Sequence, residues 1–306
     1  MTTNPQPLAG LRILSLSLNL PGPAARMRCR TLGATCIKLE PPTGDPMVHY
    51  SAQAYDELHQ GVEVMRADLK SAEGQARLQA ELARADVLLT SFRPSALSKL
   101  GLGWDALHAA YPYLSQVAIV GGAGAAAETP GHDLPYQAEH GLVAGLRLPP
   151  TLFADMGGAL MATEAVLQAV TALRLERPLT AVTARAEAQA PTGKTLPGQY
   201  FEVALADAAA FLALPRRWGL TRPQDTIGGA HAGYQIYACR DGRIAVAALE
   251  PHFARRLMET AGLPSETDPM ASEVKTRLAA FFATRTRGEL DALAASRDIP
   301  MHSLGD

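Results

Sequence analysis

A strand, a helix and a second strand follow one another within about thirty residues near the start of this chain, the length of one βαβ unit. Leu11-Arg12-Ile13-Leu14-Ser15-Leu16 reads as a strand, and Pro21-Gly22-Pro23 turns the chain. Ala24 to Leu32 reads as a helix closed by Gly33, and Ala34-Thr35-Cys36-Ile37-Lys38-Leu39-Glu40 is a second strand ended by Pro41-Pro42. Two strands joined this way lie parallel, with a right-handed crossover. The pattern repeats: Leu78 to Arg84 is helical, Asp86 to Thr90 a strand, Trp104 to Tyr111 helical, Leu114 to Val120 a strand. The expected class is α/β, with a doubly wound parallel-sheet large domain and ligands at the loops after the strands' C-terminal ends.

Residues 121–150 are rich in Gly, Ala and Pro and read as a long loop with a short helix near Tyr136 to Val143. Loops of that length in a compact domain are usually functional or mobile. Met156 to Leu175 carries apolar residues at helical spacing, which predicts a long, largely buried helix. The Ala/Thr/Pro-rich stretch at 176–197 has no clear period. The expected organisation is therefore a large domain over 1–175, a linker or insertion over 176–200, and a smaller α/β domain with a helical tail over 201–306. Within that region Tyr234 to Cys239 and Arg243 to Ala247 flank Asp241-Gly242, a hairpin signal.

The 306 residues, 47% of them hydrophobic, suffice for one large core or two smaller ones. A net charge of −2 gives no pull toward nucleic acid or an anionic membrane. Three cysteines without a CxxC pair suggest neither zinc nor a disulfide framework, and fit a reducing cytosol. The opening MTTNPQPLAG lacks the basic and apolar regions of a signal peptide, so a soluble, cytoplasmic protein is expected. There is no P-loop, zinc motif or Ser-centred elbow.

Three residues carry candidate chemistry. His132 sits in Gly131-His132-Asp133, Asp155 at the start of the long helix, and Glu250 in Leu249-Glu250-Pro251-His252-Phe253. One imidazole and two carboxylates can move protons or make a nucleophile. Each also has a plain structural reading: His132 as an exposed or capping residue, Asp155 as a helix N-cap, Glu250 as a salt-bridge partner of Arg255. Gly157-Gly158 allows close backbone approach and could offer N–H donors to a substrate oxygen. Lys38, Lys70 and Arg93 stand at strand ends, where anionic ligands settle, or are simply solvated there. Arg26, Arg28 and Arg30 read as a solvated helix face.

Several ordered stretches together resemble the family III CoA-transferases, the CaiB/BaiF group, and most nearly its α-methylacyl-CoA racemase branch. They are PLAGLRILSLSLNLPGPAARMRCRTLGATCIKLEPPTGDP, then Asp68-Leu69-Lys70-Ser71, then Ala85-Asp86-Val87-Leu88 through Phe92-Arg93-Pro94 and Leu100-Gly101-Leu102-Gly103. PGHDLPY, LFADMGG and GGAHAGYQIYACRDGRIAVAALEPHF extend the likeness over most of residues 8–260. The resemblance implies an acyl-CoA substrate, no prosthetic group, and an interlocked homodimer. It implies that His132 and Asp155 are opposed bases at the α-carbon of a thioester, with Glu250 hydrogen-bonded to the histidine. In the transferase alternative Asp155 attacks the acyl-CoA to form an anhydride. A further alternative is a CoA-binding relative without turnover. Arg93, Lys38 and Lys70 are the implied contacts for CoA phosphates. Relatives also return a C-terminal segment to the large domain, for which the chain beyond Asp298-Ile299-Pro300 is short.

Overall fold

The computed structural model describes residues 5–175 and 197–305, so residues 176–196 of the linker expected over 176–200 lie outside the described residues. The chain forms two compact units, Met1–Ala213 and Leu214–Asp306.

The first unit runs β1 (Arg12–Ser15), α1 (Pro21–Thr31), β2 (Thr35–Glu40), α2 (Met47–Tyr50), α3 (Ala52–His59), β3 (Glu63–Arg66) and α4 (Ala72–Leu82). It continues through β4 (Val87–Thr90), α5 (Pro94–Lys99), α6 (Trp104–Ala110), β5 (Ser115–Val120), a 3-10 turn at Gly124–Glu128 and α7 (Asp133–Glu139). Then come α8 (Phe153–Leu175), β6 (Tyr200–Ala204) and α9 (Leu205–Leu212). All six strands are parallel, in the order β3-β2-β1-β4-β5-β6. The chain winds outward from β1 to β3, then returns to β1 and winds the other way from β4. The crevice beyond the C-terminal ends of β1 and β4 is therefore the switch point where such sheets bind ligands.

Alternate strand residues face opposite sides of the sheet. Ile13, Val87, Leu89, Val117 and Ile119 pack with Ala24 and Ala25 of α1 and Ala159, Ala162 and Val166 of α8. Leu14, Ile37, Leu39 and Leu88 pack on the other face with Leu78, Leu82, Leu97 and Leu107. That two-sided burial is why β4 and β5 are buried at every position and read so plainly in the sequence. Strand β3 gave no such signal. Three of its four residues are exposed, so it carries no apolar run. The N-terminal turn of α8 starts at Phe153, two residues before Asp155, which places Asp155 inside the first turn rather than at a cap. Residue 201 opens the smaller domain in the sequence reading. In the structure Tyr200–Ala204 pairs with β5, and the units divide between Ala213 and Leu214.

The second unit holds α10 (Leu214–Arg217), β7 (Tyr234–Cys239), β8 (Gly242–Ala247), α11 (Pro251–Thr260), α12 (Ser272–Ala283), α13 (Arg287–Arg297) and β9 (Met301–Leu304). Cys239 pairs with Gly242, so the hairpin turns on Arg240-Asp241 and Gly242 opens β8. A Cβ on Gly242 would stand 2.7 Å from the Leu304 carbonyl oxygen, which admits only glycine beside β9. Strand β9 falls in the tail expected to be mainly helical. Tyr237, Ile244 and Val246 bury one face of this antiparallel sheet against Leu257, Val274, Leu278, Phe282 and Leu290.

Candidate active site

A cavity of about 430 Å³ opens at the switch point of the first unit. Its walls come from the segments after β1 (Asn19, Leu20, Pro21), after β4 (Phe92, Arg93) and after β5 (Gly121), and from the α7 and α8 region. His132, Tyr136 and Asp155 all line it. The N-terminus of α1 also reaches this wall, but Pro21 and Pro23 remove two of its N–H groups. That first turn is a poor cradle for a pyrophosphate.

Asp155 is the most perturbed group in the cavity. Burial, and then the charge of Asp133, push its carboxyl up to about 7. Asp133 is buried, and its Oδ1 accepts the backbone N–H of Asp155 at 3.0 Å. The Gln137 amide donates to the other oxygen of Asp133 and, at 3.1 Å, to the Thr151 carbonyl. Two carboxyl groups thus share one polar pocket, and only Asp133 has amide donors. Asp155 is left to titrate near neutrality, with its acid–base capacity unspent.

His132 is the N-cap of α7, with extended backbone and no side-chain cap bond. Its ring is exposed at the cavity and does not satisfy the helix end. The capping reading is thereby excluded, and the imidazole remains available to a ligand.

Arg93, the N-cap of α5, lines the same cavity with an exposed side chain, where a guanidinium can meet a phosphate. Lys38 does not. It is fully buried, ion-paired with Glu40 at 3.0 Å and with Asp45, and hydrogen-bonded to His59 Nε2 at 2.8 Å. A phosphate contact is excluded because the ammonium has no exposed surface and its donors are committed. Lys70 is exposed after β3 and outside the cavity lining, and its backbone N–H donates to Asp68 Oδ1 at 3.0 Å. Gly157 and Gly158 lie past the first four residues of α8, where N–H groups bond within the helix, so they are not donors to a thioester. Their lack of side chains serves packing instead. A Cβ at Gly157 would meet Leu212 at 3.0 Å, and one at Gly158 would meet Leu205 at 2.3 Å, so the glycines admit α9. Arg26 is fully buried, donates to the Leu58 carbonyl at 2.9 Å, and is brought down to about 10 by desolvation; it belongs to no solvated face. Glu250 occupies the N-cap position of α11 in the second unit without a side-chain cap bond, and its assignment as partner of His132 rests on the resemblance alone.

Sequence reasoning missed Asp133, Gln137 and Tyr136 as site residues. Asp133 stood beside His132 in the motif. Its importance lies in the contact with Asp155, 22 residues on, which no local pattern announces.

The model of CoA-transferase family III matches residues 8–306. The chain belongs to this family. It is 29% identical over 306 residues to α-methylacyl-CoA racemase of Mus musculus, covering 92% of this chain and 73% of the relative. It is 33% identical over 191 residues to succinyl-CoA–D-citramalate CoA-transferase of Chloroflexus aurantiacus, covering 55% of this chain and 46% of that one. A crystal structure of a CAIB/BAIF family protein from Brucella suis superposes with a TM-score of 0.75 at 25% identity, covering 99% of this chain and 85% of that one. This family III member therefore sits among enzymes of acyl-CoA chemistry that include both racemases and CoA-transferases.

Proposed function

We propose that this family III enzyme epimerises the α-carbon of a 2-methylacyl-CoA by two-base proton transfer. One observation supports it above others: an imidazole and a carboxyl pushed up to about 7 line one cavity at the switch point of the sheet. A thioester carbonyl makes the α-hydrogen acidic. His132 takes the proton on one face and Asp155, carrying a proton, delivers one on the other; the reverse reaction exchanges the roles. A group that titrates near neutrality supplies both protonation states at working pH, which is the condition for efficient acid–base catalysis. Arg93, exposed on the cavity lining, holds a phosphate of CoA.

CoA transfer is the second reading, because Asp155 on the cavity wall is also a potential nucleophile and a CoA-transferase is among the relatives. Solvent deuterium exchange into a panel of branched and linear acyl-CoAs separates the two. Exchange without added carboxylate, lost in Asp155→Asn and His132→Ala, supports epimerisation. CoA exchange that requires an added carboxylate, with a hydroxylamine-trappable Asp155 intermediate, supports transfer and refutes the two-base reading. The exchange rate in the direction that uses Asp155 as base falls as pH drops below about 7, where the carboxyl becomes protonated.

A further inference from the structure

The side chain of Tyr136 reaches a notch between two glycines. A Cβ built on Gly121 would stand 2.2 Å from its hydroxyl oxygen, and one on Gly131 would stand 2.0 Å from it. Those two glycines end the segment that follows β5, and both line the cavity. Any other residue at either place would displace the phenol. The backbone is thus shaped to hold one oxygen at one point of the wall.

That oxygen has no hydrogen-bond partner among the described residues, although Tyr136 is half-buried. The oxygen is not sealed in the core, and its donor is left free on the cavity lining. Burial and then the nearby Asp155 carboxyl hold the phenol above its usual range, so the hydroxyl keeps its proton at neutral pH and remains a donor. Arg93 acts on it in the opposite sense, which places the phenol within the electrostatic reach of both the cavity acid and the cavity cation. Two other donors are unavailable. The Asp155 N–H is bonded to Asp133, and the glycine N–H groups of α8 are bonded within the helix.

We propose that the Tyr136 hydroxyl is the hydrogen-bond donor to the thioester carbonyl oxygen of the bound acyl-CoA, and to the oxyanion that develops there. This rests on the acyl-CoA reading above and names the residue that serves the reacting oxygen. It makes Tyr136 a catalytic residue, since charge accumulates on that oxygen when the α-proton leaves, and a fixed donor in a shielded site lowers the barrier.

The test compares Tyr136→Phe with wild type in two measurements. The first is affinity for an acyl-CoA and for the matched S-alkyl-CoA thioether, which lacks the carbonyl. Wild type is expected to prefer the thioester by up to about tenfold, the worth of one hydrogen bond, and Tyr136→Phe to bind both alike. The second is deuterium exchange, with kcat expected to fall about 10²- to 10³-fold while KM stays within about twofold. Gly131→Ala, which pushes the ring aside, is expected to lose the same carbonyl preference. If wild type exchanges no deuterium but shows a carbonyl preference that Tyr136→Phe removes, the proton-transfer reading fails and the tyrosine assignment stands. A wild type without carbonyl preference overturns the assignment, as does a Tyr136→Phe variant that keeps that preference or that exchanges at the wild-type rate.

Discussion

Two carboxylate clusters stand at the same end of one sheet, and they have opposite fates. At the end of β2, Glu40 and Asp45 are buried around the Lys38 ammonium. The cluster is tied down except at Glu40 Oε2, which has no hydrogen bond and faces Arg66 Nε at 3.7 Å. Asp45 accepts the N–H groups of Asn19 at 3.0 Å and Met47 at 2.9 Å, and the Tyr55 hydroxyl donates to Glu40 at 2.9 Å. Desolvation, and then Arg26, bring His59 down to about 4. The neutral ring donates from Nδ1 to the Tyr55 carbonyl at 2.6 Å and accepts from Lys38 at Nε2. Glu40, Asp45 and His59 offer atoms that could ligate a metal ion, but the Lys38 ammonium already bonds all three. In the cavity, Asp133 and Asp155 stand together with amide donors for one of them and no ion-paired cation on either among the described residues. The first cluster pairs its carboxylates with a buried ammonium. The second leaves a carboxyl uncompensated and so gives it a proton to trade.

The sharpest way to break this comparison is Asp155→Asn. Deuterium exchange is expected to fall on the order of 10³- to 10⁴-fold, the upper range for loss of a positioned acid–base group, with acyl-CoA still bound. Exchange at the normal rate would put Asp155 on the structural side. Next in size is Lys38→Met, which strands two buried carboxylates and should cost about 3–5 kcal/mol in denaturant unfolding. A smaller loss would show that water reaches the cluster.

The same Asp155→Asn variant should also be more stable than wild type at pH 8, by about 2 kcal/mol after discounting for solvent access, and no more stable at pH 4. The sign follows from its raised carboxyl. Between about 4 and 7 the folded state holds a proton that the unfolded state has released, so this group's contribution declines as pH rises through that window. His59 titrates the other way: the unfolded state binds the extra proton between about 6.5 and 4, so acid weakens the Lys38 cluster. Thermal melts across pH check both slopes. Arg93→Ala carries the smallest effect, about tenfold weaker CoA binding that high salt reduces further. Unchanged affinity would remove Arg93 from the phosphate role.

The sequence by itself determined the parallel α/β architecture. The signals are local: β4 and β5 are short segments buried on both faces, and α8 is an apolar run too long for a strand. It also singled out His132, Asp155 and Arg93, which line one cavity. Tertiary structure decided the rest, because a group's burial and partners come from residues far along the chain. Lys38 looked like a free strand-end cation until Asp45 and His59 closed around it. Gly157 and Gly158 looked like donors until α9 showed that their missing side chains serve packing. Asp155 could be read from the sequence as a catalytic group or a cap; its burial and the Asp133 carboxyl beside it, brought there by α7, raise it to about 7.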